Sequence, residues 1–468
     1  MTTLEKKHPL AVRWFHWINV PLLFLMLWSG LLIYWANDVY RLGLGDSTLI
    51  HFFPDWFYRL LGAPFQLAQG MALHFFFMWF FAINGALYVA YTWLSGEWRY
   101  LVPNRHSFAE ALRVLLHDLH LKRVELPARK FNGAQQIAYT SIILMGAASL
   151  VTGIAIYKPV QFAWLTTLLG GYEWARWEHF WLAMGYVVFF VIHIAQVIRA
   201  GWNTFRAMVA GYDLAPAAVP GTVATGATGD AAVQALRGRT RRSFLVLGLG
   251  AASAAGAWKW LMSRSTIGDV PYPMRHALEF NESLSRHYFS DARLAPVFAR
   301  KHAVEPKVNG AEGLSSDFEP DSWQLRVVGR GGVRSFSLED IKRLARVEMT
   351  TELKCIEGWS AIVHWAGVRL RDFAAMYHPI VTRYVGLATP DGAYYVGLDM
   401  ASALHPQTLL CYEINGAPLS LEHGAPLRLV TPVKYGLKSI KRIGTMTFTD
   451  ERPPDFWAER GYDYYLGH

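Results

Sequence analysis

The stretch Trp177–Gln196, WEHFWLAMGYVVFFVIHIAQ, carries two histidines within a run that is largely apolar. His179 and His193 are fourteen residues apart, so a helix turns by roughly 1400° between them, which is close to four full turns. Both imidazoles are therefore predicted on one face, separated by about 21 Å along the helix axis. A histidine inside a membrane-length helix is costly and indicates function. The stretch predicts a membrane helix with a functional histidine near each end.

Apolar residues are concentrated before residue 263. Hydrophobic residues make up 53% of the 468-residue chain and charged residues 17%, against about 25% charged residues in an average soluble domain. A helix needs roughly 20 residues to cross a bilayer. Five segments approach that length: about Trp14–Trp35, Met71–Leu94, Ala134–Tyr157, Phe180–Ile198 and the shorter Phe244–Met262.

The basic residues indicate the orientation of these segments. The N-terminal tail carries three Lys or Arg, the 96–133 loop seven and the 199–242 stretch six, whereas the two intervening loops carry two each. This bias predicts a cytoplasmic N-terminus, four spans that return to the cytoplasm, and a fifth span that leads outside. The net charge of +9 then reflects membrane topology, and no nucleic-acid partner is expected.

Two more histidines lie at matching depths. His16 is near the cytoplasmic start of the first span, level with His193, and His74 is near the outer start of the second span, level with His179. Two bis-imidazole sites stacked across the membrane would suit two b-type haems. Any one of these histidines could instead be interfacial or hydrogen-bonded, but four at matched depths favour the haem interpretation.

Residues 8–210 resemble a known family. The segments RWFHWINVPLLFLMLWSGLLIY (Arg13–Tyr34) and KFNGAQQIAYTSIILMGAASLVTGIAIY (Lys130–Tyr157), with the paired histidines of the fourth span, resemble the bacterial cytochrome b561 family. That family includes the membrane subunits of nickel-iron hydrogenases and formate dehydrogenases. The resemblance implies that the four histidines bind two b haems and that residues 1–210 exchange electrons with membrane quinone.

The next segments predict a linker and an anchor. Residues 211–239 are rich in Ala, Gly, Pro and Thr, which predicts a flexible cytoplasmic linker. Residues 240–263 begin TRRSFLVLGLGAASAAGAW, where Arg241 and Arg242 are typical of a twin-arginine export signal. Because the following apolar run is long enough to stay in the membrane, we expect an uncleaved fifth transmembrane helix.

Residues 264–468 mix strand, turn and helix patterns, which predicts an outer α+β domain. The two cysteines of the chain, Cys355 and Cys411, both fall here and cannot form a disulfide framework. Cys411 lies in an apolar run and is predicted in the core. Cys355, where an extended run meets a turn, is either a buried structural residue or a single functional thiolate.

The segment LKCIEGWS (Leu353–Ser360) resembles the molybdenum-binding motif of the sulfite oxidase fold, and most closely that of the catalytic subunit of bacterial periplasmic methionine sulfoxide reductases. The resemblance implies that Cys355 is a molybdenum ligand beside the sulfurs of molybdopterin. It extends through NGAPLSLEHGAPLRLVTPVKYGLKSIKRI (Asn415–Ile443). The cofactor contacts that it implies are Asn281, Leu284, Ser285, Thr389, His423, Arg428, Ser439, Ile440 and Lys441.

The predicted protein is a four-helix di-haem cytochrome b, a fifth membrane helix and a sulfite oxidase-like molybdenum domain in one chain of the bacterial inner membrane. The expected reaction is quinol-driven reduction of an S-oxide or N-oxide outside the cytoplasm. Oxidation of sulfite or a related anion into the quinone pool is the alternative, since both directions use the same electron route. A hypothesis of another class is a haem-containing electron-transfer or sensor protein whose soluble half only binds a partner.

Overall fold

The computed structural model describes residues 2–44, 47–118, 121, 130–216, 224–377 and 382–468. The helices of these residues are α1 Leu10–Tyr34, α2 Asp55–Leu61, α3 Leu67–Ser95, α4 Trp98–Leu101, α5 Arg105–Asp118, α6 Gly133–Tyr157, α7 Ala163–Leu168, α8 Tyr172–Ala200, α9 Trp202–Ala210, α10 Asp230–Met262, α11 Tyr272–Tyr288, α12 Leu338–Lys342, α13 Leu370–Tyr377 and α14 Met400–Ala403.

The strands are β1 Thr2–Lys6, β2 Arg41–Leu44, β3 Ser47–His51, β4 Tyr212–Pro216, β5 Ala224–Thr228, β6 Thr266–Ile267, β7 Val270–Pro271, β8 Leu325–Gly329, β9 Gly332–Phe336, β10 Arg346–Lys354, β11 Ser360–Arg369, β12 Tyr384–Ala388, β13 Tyr395–Asp399, β14 Leu409–Ile414, β15 Ala417–Pro418, β16 Arg428–Val430 and β17 Thr445–Thr449.

Five helices in the described part of the chain are long and apolar enough to cross a membrane. They are α1 (continued by a 3₁₀ turn to Asn37), α3, α6, α8 and α10. All five predicted spans are therefore present, and each helix runs past the predicted apolar core at one or both ends. The flanking residues include both aliphatic ones, such as Leu10 and Leu67, and charged ones, such as Glu173 and Arg199.

The chain forms two compact units. One comprises Met1–Leu27, Phe77–Gly153 and Arg176–Arg264, and the other comprises Trp28–Phe76, Ile154–Ala175 and Ser265–His468. The second unit therefore contains the soluble C-terminal domain together with the 28–76 and 154–175 segments of the membrane region.

The first unit contains a small sheet where a linker was expected. Within residues 211–239, strands β4 and β5 both pair with β1, in the order β4-β1-β5, and residues 217–223 lie outside the described residues. Helix α10 begins at Asp230 rather than near Thr240. Ala232 and Leu236, four residues apart on one helix face, pack against Leu4 of β1, so burial adds to the helix propensity of this Ala- and Arg-rich segment.

The soluble domain of the second unit is built on two five-stranded sheets. The first has the order β10-β11-β14-β15, with β16 also pairing β14, and the second has the order β13-β12-β17-β8-β9. The β17–β8 pair is parallel and the other ladders are antiparallel. This mixed architecture is the α+β class that the sequence predicts.

Successive side chains of β14 point alternately into two different hydrophobic cores. Leu410 and Tyr412 face the larger core, to which both sheets and α13 contribute. Leu409 and Cys411 face the opposite side, where they pack with Trp365. Successive strand residues point to opposite faces, so Cys411 is a core residue, as its apolar surroundings predicted.

A close approach between β11 and β14 requires glycine. The register of this pair shifts between Ala366 and Gly367, and a Cβ atom at Gly367 would lie 2.1 Å from the carbonyl oxygen of Leu410. That separation is far inside van der Waals contact, so any side chain here would push the two strands apart.

We expect Gly367→Ala to destabilise the soluble domain by about 1–3 kcal/mol, because the added methyl group overpacks the strand pair. Thermal unfolding followed by hydrogen exchange of β11 and β14 measures this. The matched control is Gly329→Ala, where the new Cβ would meet ring and side-chain carbons at 3.4 Å or more. Equal stability of the two variants would contradict the proposed steric constraint.

Candidate functional site

His16 and His193 lie together within the first unit. Their ring centroids are 6.0 Å apart, and Phe189 stacks on His193 at 5.8 Å with the ring planes 5° apart. Metal–imidazole bonds measure about 2 Å, so this separation suits one metal ion between the two rings. The structure therefore brings together the two histidines that were paired by their matching depths, and their role as haem ligands stays a prediction.

His74, on α3 in the second unit, is held by a hydroxyl group from α1. Its Nδ1 lies 2.9 Å from Ser29 Oγ. The next residue, Gly30, is also beside this imidazole, since a Cβ there would lie 4.0 Å from His74 Cε1. A hydrogen bond at Nδ1 fixes the ring orientation of a histidine that binds metal through Nε2.

His179, on α8 in the first unit, has an equivalent environment. Its Nδ1 lies 2.9 Å from Thr152 Oγ1 on α6, and a Cβ at Gly153 would lie 3.5 Å from His179 Cε1. Each of the two histidines therefore has a hydroxyl residue followed by glycine on a neighbouring helix. In the sequence this repeat is WSGLLIY (Trp28–Tyr34) and LVTGIAIY (Leu150–Tyr157), a pattern that the periodicity argument did not use.

Cys355 is buried on a tight turn between β10 and β11. Its backbone N–H donates to Trp359 O at 2.9 Å, and Gly358 N–H donates back to Cys355 O at 3.0 Å. Gly358 has φ of 100°, which favours glycine. Burial, with the Glu357 carboxylate as a further cause, raises the pKa of Cys355 to about 12. Burial therefore disfavours the thiolate form of Cys355.

Three residues beside Cys355 were not singled out by the sequence analysis. Asn309 Nδ2 lies 3.8 Å from Cys355 Sγ and donates to Glu357 Oε2 at 3.1 Å. Trp359 Nε1 donates to the same carboxylate oxygen at 2.9 Å. Asn309 lies 46 residues before the cysteine in an irregular segment, so local pattern could not link the two. Glu357 and Trp359 lie within the quoted motif, two and four residues after Cys355, so their closeness in sequence could have indicated the contact.

Arg428 is a deeply buried cation. Its guanidinium donates to His423 O at 3.1 Å and to Ser439 O at 3.3 Å, and lies 5.0 Å from the Trp365 ring centroid. Its Nε has no hydrogen-bond partner among the described residues. Burial lowers the pKa of Arg428 to about 10. A buried guanidinium with an unused donor suits an anionic group such as a phosphate.

The other C-terminal candidates surround Arg428 or the segment that carries Asn309. Ser439, Ile440 and His423 are buried. Lys441 Nζ donates to Asn309 O at 2.8 Å and to Gly310 O at 3.2 Å. Lys441 therefore contacts the same chain segment, around Asn309, that contacts Cys355.

Two further candidates border this group. His423 Nε2 lies 2.8 Å from Glu305 Oε1, and burial lowers the pKa of His423. Thr389 packs against Gly313, where a Cβ would lie 2.4 Å from its Cγ2. Both residues thus touch the 305–313 segment that passes Cys355.

Asn281, Leu284 and Ser285 lie on α11. Asn281 is buried, Leu284 is 44% exposed, and Ser285 Oγ donates to Asn281 O at 2.7 Å within the helix. The asparagine that hydrogen-bonds Cys355 is Asn309, and the cofactor role of the α11 residues stays a prediction.

Two family models match the chain in succession. Residues 7–211 match prokaryotic cytochrome b561, and residues 312–457 match the oxidoreductase molybdopterin binding domain. The second match contains Cys355, Thr389, His423, Arg428, Ser439, Ile440 and Lys441.

Curated relatives divide in the same way. YedZ1 of Azospira oryzae, named as a subunit of a protein-methionine-sulfoxide reductase, is 32% identical over 193 residues, which cover 40% of this chain and 73% of that protein. The protein-methionine-sulfoxide reductase catalytic subunit MsrP of Campylobacter jejuni is 30% identical over 248 residues, which cover 48% of this chain and 80% of that protein. The MsrP subunit of Ralstonia nicotianae is 33% identical over 166 residues, or 31% and 50% of the two chains.

These matches follow the order of the two halves. The chain is an inner-membrane oxidoreductase that belongs through its N-terminal half to the prokaryotic cytochrome b561 family and through its C-terminal half to the family of molybdopterin-binding MsrP catalytic subunits.

Proposed function

We propose that the protein reduces an S-oxide, with methionine sulfoxide as the substrate class, at a site built around Cys355, and takes the electrons from membrane quinol. The observation that carries this proposal is a set of buried or partly buried residues in which Asn309 links Cys355 to Lys441 and Arg428 donates to Ser439 O. Cys355, Arg428, Ser439 and Lys441 all lie inside the matched molybdopterin-binding domain. The printed names of the relatives supply the substrate class.

The proposed reaction balances without a further co-reactant. Quinol oxidation releases two electrons and two protons, and an S-oxide takes up two electrons and two protons to give a thioether and water. A buried thiolate ligand and a cation-lined anion pocket serve this chemistry, because bound molybdopterin supplies the metal that accepts the oxygen atom.

The residues fit the expected cofactors. Cys355 is the metal ligand in this proposal, and Arg428, with its unused Nε, binds the pterin phosphate together with Ser439 and Lys441. His16 and His193 hold one b haem, and His74 and His179 hold a second. Ser29 and Thr152, each 2.9 Å from its histidine, set the orientation of the second pair.

The proposed location of the catalytic domain is periplasmic. Sixteen basic residues on the N-terminal side of the membrane against four on the other side support this orientation. Arg241 and Arg242 at the fifth helix then serve twin-arginine export of a domain that receives its cofactor in the cytoplasm. An uncleaved α10 anchors that domain.

We expect purified wild-type protein to reduce methionine sulfoxide with reduced viologen as donor, and Cys355→Ser to lose this activity to background, because the metal loses its protein thiolate. Activity and molybdenum content are measured in parallel. The control is Cys411→Ala, which removes the other thiol from the core and retains activity per molybdenum. Oxidation of sulfite in preference to S-oxide reduction would refute the proposed direction.

The haem assignment predicts two spectral components. We expect His193→Ala to lose one component and His74→Ala to lose the other in a potentiometric titration of the reduced-minus-oxidised spectrum, since each site loses one of its two axial ligands. His106→Ala, a change at an exposed histidine, serves as the control and retains both components. Loss of the same component in both variants would contradict two separate sites.

Removal of the positive charge of Arg428 is expected to abolish pterin binding. Arg428→Met keeps the volume approximately and deletes the charge, so we expect molybdopterin content to fall strongly while haem content is unchanged. The exposed Arg326→Met on β8 is the matched control. A full complement of pterin in Arg428→Met would show that this side chain does not bind the phosphate.

A further inference from the structure

The turn that carries Cys355 packs on two membrane helices. Leu67 of α3, Cys355 and Ile356 belong to one buried apolar cluster, and Ile33, Ala36 and Met71 pack against it. Leu67 and Met71 belong to the first two turns of α3, and Ile33 and Ala36 lie at the end of α1 and in the 3₁₀ turn that follows it. The expected metal ligand is therefore seated directly on the ends of membrane helices.

The α3 residues that contact the Cys355 turn share one helix face with His74. Leu67, Met71 and His74 are separated by four and three residues, the spacing that places side chains in a row along one helix face. The rise from Leu67 to His74 is about 10 Å. The same row therefore begins at His74 and ends at the Cys355 turn.

Helix α1 repeats this arrangement in the opposite direction. Ser29, which lies 2.9 Å from His74 Nδ1, is followed by Ile33 and Ala36 at intervals of four and three residues. The two helices are closely packed at this level, because a Cβ at Gly70 of α3 would lie 2.7 Å from Leu32 Cβ of α1. Two adjoining helix faces thus lead from one imidazole to one thiol.

The soluble domain also contacts the 158–173 segment, away from the apolar cluster around Cys355. Lys158 Nζ donates to Gly467 O at 2.7 Å, and Ser360 Oγ donates to Glu173 Oε1 at 2.8 Å. The Phe162 and Tyr288 rings stack with centroids 4.6 Å apart. These contacts at several positions of the 158–173 segment fix the position of the soluble domain, and with it the position of the Cys355 turn. A mobile tethered domain would lack such contacts.

We propose that the apolar seat formed by Ile33, Leu67 and Met71 beneath Ile356 is the contact through which electrons enter the catalytic domain from the haem held by His74. This inference rests on the proposed function for the two cofactors. A haem held by His74 would supply electrons one at a time and a molybdenum centre held by Cys355 would accept them, so the contact residues themselves would exchange no bond and no proton. A packed interface that excludes water keeps the separation of the two centres constant. The seat residues are positioning residues and do not touch substrate.

The test uses the full-length protein with both cofactors. Leu67→Ala and Ile33→Ala each truncate one side of the seat, and Leu60→Ala is the matched control, since Leu60 is 75% exposed on α2. Quinol is added anaerobically without substrate, and the rates of haem reduction and of molybdenum reduction are followed by absorbance and by EPR. Hydrogen exchange of the 353–359 segment is measured on the same samples.

We expect haem reduction to be unchanged in both variants and molybdenum reduction to slow by roughly tenfold or more, because small displacements of reacting centres have large effects on rate. Viologen-driven S-oxide reduction, which bypasses the haems, stays at the wild-type level. Hydrogen exchange of the turn accelerates in Leu67→Ala and Ile33→Ala but not in Leu60→Ala.

Wild-type rates of molybdenum reduction in both seat variants would overturn the proposal, as would unchanged hydrogen exchange of the turn. Failure of the proposed function is distinguishable, because it appears in the wild type as absence of viologen-driven S-oxide reduction. The substrate-free electron transfer and the exchange data still test the seat in that case.

Discussion

A polar side chain inside a membrane helix must find its partner within the protein, because lipid offers none. Here this requirement is met by pairs of neighbouring helices. Ser29 contacts His74 and Thr152 contacts His179, each at 2.9 Å, and each hydroxyl residue is followed by a glycine that lies beside the same imidazole. The hydrogen bond orients the ring and the glycine leaves space next to it. The placement of both histidines therefore depends on the packing of α1 on α3 and of α6 on α8.

In the catalytic domain, Cys355 and Arg428 are buried ionisable groups. Burial raises the pKa of Cys355 to about 12 and lowers that of Arg428 to about 10, because it penalises the charged form of each group. A soft metal cation and a phosphate anion would stabilise the charged form of each. A ligand that binds only the folded state stabilises that state, so a bound cofactor would add to the stability of this domain.

The parts of the structure with regular spacing were predictable from sequence. Matching depths along the helices were sufficient to predict that His16 and His193 lie close together, as they do, whereas the metal-binding role of Cys355 stays a prediction from its motif. Asn309 was not predictable, because its contact with Cys355 depends on an irregular segment held by Lys441 and not on a repeat. The strands within 211–239 could not be predicted for a related reason. The low complexity of this region suggested a linker, but β4 and β5 gain their order from the distant β1, and a nonlocal strand partner leaves no mark on local composition.

The contacts of the soluble domain support one topology independently of the charge count. Each membrane crossing changes sides, so the segments after the first, third and fifth spans must share a side of the membrane. The structure joins all three in the second unit. Ala36 and Leu67 flank the first connection, Lys158 and Glu173 lie on the second, and the catalytic domain follows the fifth span. A four-span chain without α10 would leave the catalytic domain on the opposite side from these contacts. These contacts therefore agree with α10 as a fifth membrane span.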